Sequence, residues 1–235
     1  MAKPRRRKTD EPTEAMELRI VGGRFRGRKL RYQPFRSGDD PVTRPMKHRV
    51  REAIFNLVGM GAEGRHAIDL FAGTGALGLE ALSRGATRAT FIERHVPTSR
   101  VIEENIKLLG VEARTTLLVA SAFLWGKREL TEEDGAGPQG EDSLWALPWL
   151  VFCSPPFAFF VDRQAEMIEL ITSVMERAPA DSVVVVEADE RFDFELLPSL
   201  GGESYSESNW DVRTYAPAVV GVWRKAPLIE PSPAL

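Results

Sequence analysis

Residues 67–78 read AIDLFAGTGALG, and the fold turns on how they are read. Ala67 to Phe71 form an apolar run carrying a single carboxylate, Asp69. Gly73-Thr74-Gly75 break it, and ALGLEALSRG (76–85) continues as a helix that stops at Gly85. A buried strand passing through glycines straight into a helix makes a tight turn. Its backbone can approach a ligand closely, and the helix start offers unpaired N–H groups. Working outward, ATFIE (89–93) is the next expected strand. Val96–Leu109 is a helix with Pro97 in its first turn and Gly110 at its end, and ARTTLLVA (113–120) is a third strand. WLVFC (149–153) is a fourth, residues 163–177 a helix, and SVVVVEA (182–188) a fully buried fifth. WDVRTYAPAVVGVWRK (210–225) is expected to close the sheet edge as an antiparallel hairpin. Strands alternating with helices predict an α/β fold with a parallel sheet covered on both faces. Residues 127–143, rich in Gly, Glu and Asp, are expected to form an exposed, mobile loop.

Gly73-x-Gly75-x-x-Gly78 satisfies the dinucleotide fingerprint, but S-adenosylmethionine (SAM) is bound by similar turns at the same point of such sheets. Asp69, four residues before Gly73, separates the two. A carboxylate there repels a pyrophosphate, whereas it attracts the ammonium of a methionine moiety. Glu93, at the end of the second strand, can accept both hydroxyls of a ribose. The plainer readings are a loop-capping carboxylate for Asp69 and an exposed strand-end charge for Glu93.

The fourth strand stops at Ser154-Pro155-Pro156-Phe157, where two prolines cannot continue a ladder. In this topology it ends beside the first strand, facing the ligand of the glycine turn. The Pro155 carbonyl and the Ser154 hydroxyl are two acceptors, and Phe157 is a flat apolar plate. Together they suit an exocyclic amine on a planar base. Two hydrogen bonds to its N–H groups favour the pyramidal, nucleophilic form, so catalysis is by positioning and electrostatics. The plainer reading is a rigid turn after a buried strand.

The net charge of −3 hides a strong division. Through Arg51 there are 16 Lys and Arg against 6 Asp and Glu; the remainder has 15 against 28. A basic arm on an acidic body predicts a polyanionic partner met by one end of the molecule. Within LRIVGGRFRGRKLRY, Arg24, Arg26 and Arg28 recur at period two, which reads as a short strand or hairpin with arginines on one face. Residues 33–41 are expected to be a loop. Thr43-Arg44-Pro45 looks like a helix start, followed by an apolar face of Val50, Ala53, Ile54, Leu57 and Val58. Arg49 and Arg51 fall largely elsewhere around that helix. With 43% hydrophobic residues and one cysteine, the chain fits a reducing compartment and excludes an internal disulfide. The three histidines lack ligand spacing, so no metal is expected. No apolar run approaches the roughly 20 residues of a membrane helix. MAKPRRRKTDEPTEAM lacks a signal peptide's apolar segment, and a cytoplasmic protein is expected.

RIVGGRFRGRKL, RVREAIFN, DLFAGTGALGLEALSRGA, Glu93, VF…PPF and YAP…G together resemble the RsmD-type small-subunit ribosomal RNA guanine-N2 methyltransferases of bacteria, over about residues 18–225. The resemblance implies a class I SAM-dependent methyltransferase fold. This is a Rossmann-like, mostly parallel seven-stranded sheet with a C-terminal antiparallel hairpin and a basic N-terminal arm. It implies that Asp69, Phe71, Gly73, Gly75 and Glu93 hold SAM, with Ser121 and Ala122 beside the adenine, and that Ser154, Pro155, Pro156 and Phe157 hold the guanine. Arg24, Arg26, Arg28, Lys29, Arg44, Arg49 and Arg51 would grip rRNA phosphates of the 30S particle, the protein acting as a monomer. The chain departs from the family's usual pattern at Ser154, where Asp is usual, at Met46-Lys47-His48 and at Ser121. The expected parts are a disordered tail (1–16), an RNA-binding arm and helix (17–60), a methyltransferase domain (61–226) and a flexible end (227–235). The rivals are a catalytically impaired rRNA-binding relative, a DNA amino-methylase and an NAD-dependent oxidoreductase.

Overall fold

The structure, a computed structural model, describes residues 18–33, 36–37, 40–41, 46, 48–130, 147–199 and 210–227. Two short antiparallel pairs come first: β1 (Leu18–Arg19) with β2 (Lys29–Leu30), and β3 (Arg36–Ser37) with β4 (Asp40–Pro41). Then follow α1 (His48–Val58), β5 (His66–Asp69), α2 (Ala76–Ser83), β6 (Arg88–Ile92), α3 (Val96–Leu109), β7 (Thr115–Leu118) and α4 (Ala122–Glu129). The rest is β8 (Trp149–Cys153), α5 (Phe159–Asp162), α6 (Gln164–Arg177), β9 (Val183–Asp189), β10 (Trp210–Tyr215) and β11 (Ala218–Arg224). Among the described residues no helix is long and apolar enough to cross a membrane.

Seven strands make one sheet in the order β10-β11-β9-β8-β5-β6-β7. Pairings from β9 through β7 are parallel, and β11 runs antiparallel to both its neighbours. The chain enters at β5, builds outward to β7, then crosses back to β8 on the other flank of β5. The carboxyl ends of β5 and β8 therefore border the point where the winding reverses, which is where such sheets bind ligands. Strand side chains alternate between two cores, as period-two geometry requires. Leu150 and Phe152 of β8 pack with α1, α2 and α3; Trp149, Val151 and Cys153 pack with α4 and α6. That double coverage is why WLVFC and the four valines 183–186 read as unbroken apolar runs.

The first core also takes in Leu18, Ile20, Phe25 and Leu30 of the arm with Val50, Ile54, Phe55 and Val58 of α1. It therefore runs through the boundary expected near residue 60. The join is polar as well as apolar, and it centres on Glu80 in α2, whose side chain is 0% exposed. The N–H groups of Val21 and Gly22 donate to its two carboxylate oxygens, each at 2.7 Å, and Arg84 Nε donates at 2.9 Å. Arg51 Nε lies 3.8 Å away, and Arg51 Nη2 donates to the Arg19 carbonyl. At the other end of α2's last turn, Ser83 Oγ donates to the Gly22 carbonyl and accepts from Phe25 N–H.

This join corrects two expectations. Of the strand or hairpin expected, the hairpin is present as the β1–β2 pair, but Arg24 to Arg28 lie on its connecting excursion and do not form a strand. Gly23–Phe25 is a single 3-10 turn with Gly23 at φ +71°, because the chain passes so close to α2 that a Cβ on Gly23 would stand 1.9 Å from the Ser83 carbonyl oxygen. Arg51 is not available to rRNA. Its side chain is 1% exposed; burial pulls its guanidinium down from the usual range while Glu80 pulls it back up. Two smaller differences concern local elements. Residues 33–41 include the β3–β4 pair, and the loop expected from Lys127 begins as the last turn of α4; its residues 131–143 lie outside the described residues. Arg44 and the helix start at Thr43-Arg44-Pro45 also lie outside them, and the described helix runs from His48. Replacing Glu80 with Ala leaves the Arg51 charge buried without its partner and orphans two backbone N–H groups. It is expected to cost about 3–5 kcal/mol of stability in urea unfolding. An unchanged midpoint would show that the arm is not held through this carboxylate.

Candidate active site

The carboxyl ends of β5 and β8 meet at the winding reversal, flanked by β6 and β9, and a polar side chain stands at or near the end of each: Asp69, Ser154, Glu93 and Glu187. Asp69 is the last residue of β5 and is fully buried, since Leu70 N–H goes on to bond the Phe152 carbonyl at 3.0 Å and the flanking strands close over it. Its Oδ2 accepts a long 3.3 Å bond from Gly78 N–H in the first turn of α2. Its Oδ1 is buried and has no hydrogen-bond partner among the described residues. Burial pushes this carboxyl up to about 7; the Gly78 amide pulls down and nearby Glu93 pushes up. One oxygen thus braces the turn through Gly78, and the other is left without a partner among the described residues. A buried acceptor without a donor is costly in a finished core, and it fits the ammonium of SAM directly or through water.

The glycine turn has the geometry its sequence requires. Gly75 caps α2 in the left-handed region at φ +75°, and its N–H donates to the Ala72 carbonyl at 2.6 Å. A Cβ on Gly78 would stand 2.4 Å from the Phe91 ring, so only glycine lets α2 lie against β6. Glu93 follows β6 and is half-buried. It accepts from Gly73 N–H at 2.9 Å and from His95 N–H at 2.8 Å, one on each oxygen. A carboxylate has about four lone-pair sites. Glu93 can therefore brace the turn and still accept ribose hydroxyls.

Ser121 stands just before α4 and Ala122 is buried at its start. The next residue, Phe123, joins Phe71 and Phe159 in a three-ring cluster with centroids 5.9–6.1 Å apart. The Arg163 guanidinium lies 3.8 Å over Phe123 and 5.3 Å over Phe159, held by two bonds to Glu166; Arg94 lies 5.8 Å over Phe159. Phe71 and Ser121-Ala122, expected beside the cofactor, thus border one aromatic wall. Phe123, Phe159 and Arg163 were not anticipated as part of it. Phe159 stands two residues beyond the Pro-Pro-Phe turn, and that nearness was the available signal.

The Ser-Pro-Pro-Phe turn leaves the sheet abruptly, as expected. Pro155 is buried and Pro156 exposed, while Phe157 is half-buried against the first core. The carbonyls of Pro156 and Phe157 accept from Phe159 and Phe160 N–H, starting α5, and Pro155 stands one residue before that turn. Ser154 Oγ donates to Glu187 Oε2 on β9. Burial raises the Glu187 carboxyl, and the Ser154 bond draws it back. Glu187 went unnoticed in the sequence, although an acid inside SVVVVEA is the signature of a buried charge with a partner. In the arm, Arg24, Arg26, Arg28 and Lys29 are exposed, as is Arg49 at the start of α1. Arg28 also reaches the Leu108 carbonyl at 2.9 Å.

The family model described as Conserved hypothetical protein 95 matches residues 18–200. The chain is 42% identical over 109 residues to ribosomal RNA small subunit methyltransferase D of Escherichia coli (strain K12), covering 46% of this chain and 52% of that relative. This match spans about half the relative's length. The protein of the same name from Haemophilus influenzae is 30% identical over 159 residues, which is 68% of this chain and 74% of that one. A solved structure, the putative methyltransferase yhhF from Escherichia coli, matches with a TM-score of 0.61 at 25% identity, over 90% of this chain and 99% of that one. Strand order and this likeness make the fold a Rossmann-like class I methyltransferase fold. Since the family match runs from the arm through the glycine turn and the strands that end at the site, the chain belongs to the Conserved hypothetical protein 95 family, and the RsmD-type resemblance of its motifs holds.

Proposed function

We propose that the protein is a SAM-dependent N-methyltransferase acting on the exocyclic N2 amine of a guanine in small-subunit rRNA. The observation that carries this reading is the unpartnered, buried Asp69 Oδ1 beside the glycine turn. Glu93 lies on one side of it and the Ser154-Pro155 turn on the other. When bound, SAM supplies an electrophilic methyl group on a sulfonium. The residues of the chain bind and orient. Asp69 takes the ammonium, Glu93 the ribose hydroxyls, and the wall of Phe71 and Phe123 with Ser121 and Ala122 the adenine. Ser154 Oγ and the Pro155 carbonyl receive the two N–H groups of the amine, and Phe157 lies against its ring. The substrate class is supported by the names of the relatives, both small-subunit rRNA methyltransferases. The guanine N2 is the amine that the family resemblance implies. A base held against Ser154, Pro155 and Phe157 must leave its stack.

The basic arm supports the same substrate. Arg24, Arg26, Arg28 and Lys29 are exposed on one short excursion between β1 and β2, with Arg49 exposed at the start of α1. These side chains grip phosphates, while the acidic body keeps phosphate away from the methyl-transfer pocket. We assign the protein to the cytoplasm, acting as a monomer on the 30S particle.

Three measurements test the reading. Mass spectrometry of 16S rRNA nucleosides from cells with and without the protein is expected to show one N2-methylguanosine lost; an unchanged profile removes the assignment. Asp69, followed by carboxyl 13C NMR, is expected to titrate near 7 in the free protein. It should fall by about 1–3 units when SAM places an ammonium beside it; a midpoint indifferent to SAM would take Asp69 out of the cofactor site. Replacing Arg24, Arg26 and Arg28 together with Ala is expected to reduce the slope of log affinity against log salt by about 2–3 on an rRNA fragment, with SAM affinity unchanged. An unchanged slope would remove the arm from RNA contact.

A further inference from the structure

Ser154 and Glu187 come from different strands, and the sheet's register brings them together. In the parallel β8–β9 ladder the last pair is Cys153 with Val186, and the next residue on each chain is Ser154 and Glu187. Phe152 and Val185, two residues earlier, both pack in the first core. Alternation therefore puts Ser154 and Glu187 on that same face, the side of α1 and the arm. Glu187 is 7% exposed and its Oε2 accepts the Ser154 hydroxyl proton. On β11, Val220 stands opposite Glu187, so the neighbour on that flank is apolar. No lysine or arginine is paired with this carboxylate in any contact of the described residues, in contrast to Glu80, which is wrapped by two arginines. A buried acid whose hydrogen-bond partner is one serine, at the carboxyl edge of the sheet beside the Pro-Pro turn, is a poor structural device. Its chemistry is that of a base acting through a hydroxyl.

We propose that Ser154 and Glu187 act as one unit, in which the carboxylate orients the hydroxyl and receives, through it, the proton that the substrate amine must lose. Resting on the methyltransferase reading, this assigns a positioning residue that neither the glycine turn nor the Pro-Pro turn contains. A free serine hydroxyl is donor and acceptor at once and rotates to suit. Committing its proton to Glu187 leaves its lone pairs toward the amine, and the adjacent negative charge strengthens them. In the transfer, the nitrogen lone pair forms the N–C bond as the C–S electron pair returns to sulfur. The nitrogen then carries a positive charge and an acidic N–H. That proton passes to Ser154 Oγ while the hydroxyl proton passes to Glu187 Oε2. The nitrogen ends neutral, the serine unchanged and Glu187 protonated; Glu187 returns its proton to water after the product leaves. The arrangement follows the nucleophile–base logic of hydrolases, with the hydroxyl serving as a proton relay.

The test combines substitutions in the full-length protein with a readout independent of turnover. Glu187→Gln keeps shape and a hydrogen bond but cannot accept the proton. Its kcat for methyl transfer to 30S particles is expected to fall about 100-fold with little change in KM for RNA. Adding Ser154→Asp to Glu187→Gln places a carboxylate directly at the strand end and is expected to recover at least about tenfold of that loss. In the free protein, Ser154→Ala is expected to raise the 13C titration midpoint of Glu187, because the bond that favours its charged form is gone. Should Glu187→Gln fail to fold, Ser154→Ala must show the same kcat loss. Wild-type protein that transfers no methyl group overturns the methyltransferase reading itself. Active wild type with a Glu187→Gln or Ser154→Ala variant within about twofold of it overturns only the relay. So does a Glu187→Gln loss that Ser154→Asp does not recover, or a Glu187 midpoint that ignores Ser154.

Discussion

The architecture depends on one buried carboxylate, Glu80. Four groups from three segments meet it: two backbone N–H groups of the arm, Arg84 from its own helix and Arg51 from α1. A buried charge is tolerable only with its lone pairs satisfied, so the arm, α1 and α2 must be docked together or not at all. Arg84 extends the join by lying 4.8 Å over the Phe55 ring of α1. Because α2 is only eight residues long, about 12 Å, the glycine turn opens the same short rod whose middle and last residues, Glu80 and Ser83, hold the arm. The exposed arginines and the pocket therefore have a set separation. That is what an enzyme needs if phosphate contacts are to place one nucleotide at a reactive centre.

Electrostatics divide the labour along the same rod. At the pocket end, Asp69, Glu93 and Glu187 gather acidic groups at the carboxyl edge of the sheet, and the amide of Gly78 at the start of α2 partly offsets them. Such an edge suits a sulfonium donor carrying an ammonium, and a neutral base. At the arm end the charge is reversed. Asp69 shows the balance in one residue: desolvation drives it toward neutrality, a helix amide opposes this, and the result lies near neutral pH. A cationic ligand shifts that balance further than it would shift an exposed aspartate.

Much of this was legible in the sequence, and what was missed has a common cause. The glycine turn, α3 over Val96–Leu109 with its Gly110 cap, β8 over Trp149–Cys153 and the terminal hairpin are set by local rules: apolar periodicity, a left-handed glycine, a proline stop. The failures are decided by residues far away in sequence. Arg24 to Arg28 have a strand-like period, but Ser83, about 60 residues on, forces the chain into a turn at Gly23. Arg51 looked like one more surface cation because Glu80 is 29 positions away. α4 was too short, and interrupted by Gly126, for its apolar face to register. Glu187 hid in a run of valines because its meaning lies in Ser154, just past the end of β8 and 33 residues earlier.

The prolines and the carboxylate answer different parts of the same constraint. A strand end that offers its groups to a ligand cannot let them relax back into the ladder. Pro155 and Pro156 have no N–H with which to rejoin it and fix φ where they stand. That immobilises the backbone, but the Ser154 side chain would still be free to rotate. Glu187 removes that freedom from the neighbouring strand, whose parallel register leaves it level with Ser154. Its own backbone is held on the other flank, where Glu187 pairs with Val220 of β11. In the proposed site the acceptor pair is thus immobilised twice, through the backbone by sequence-local chemistry and through the side chain by the sheet, which is the preorganisation such a site requires.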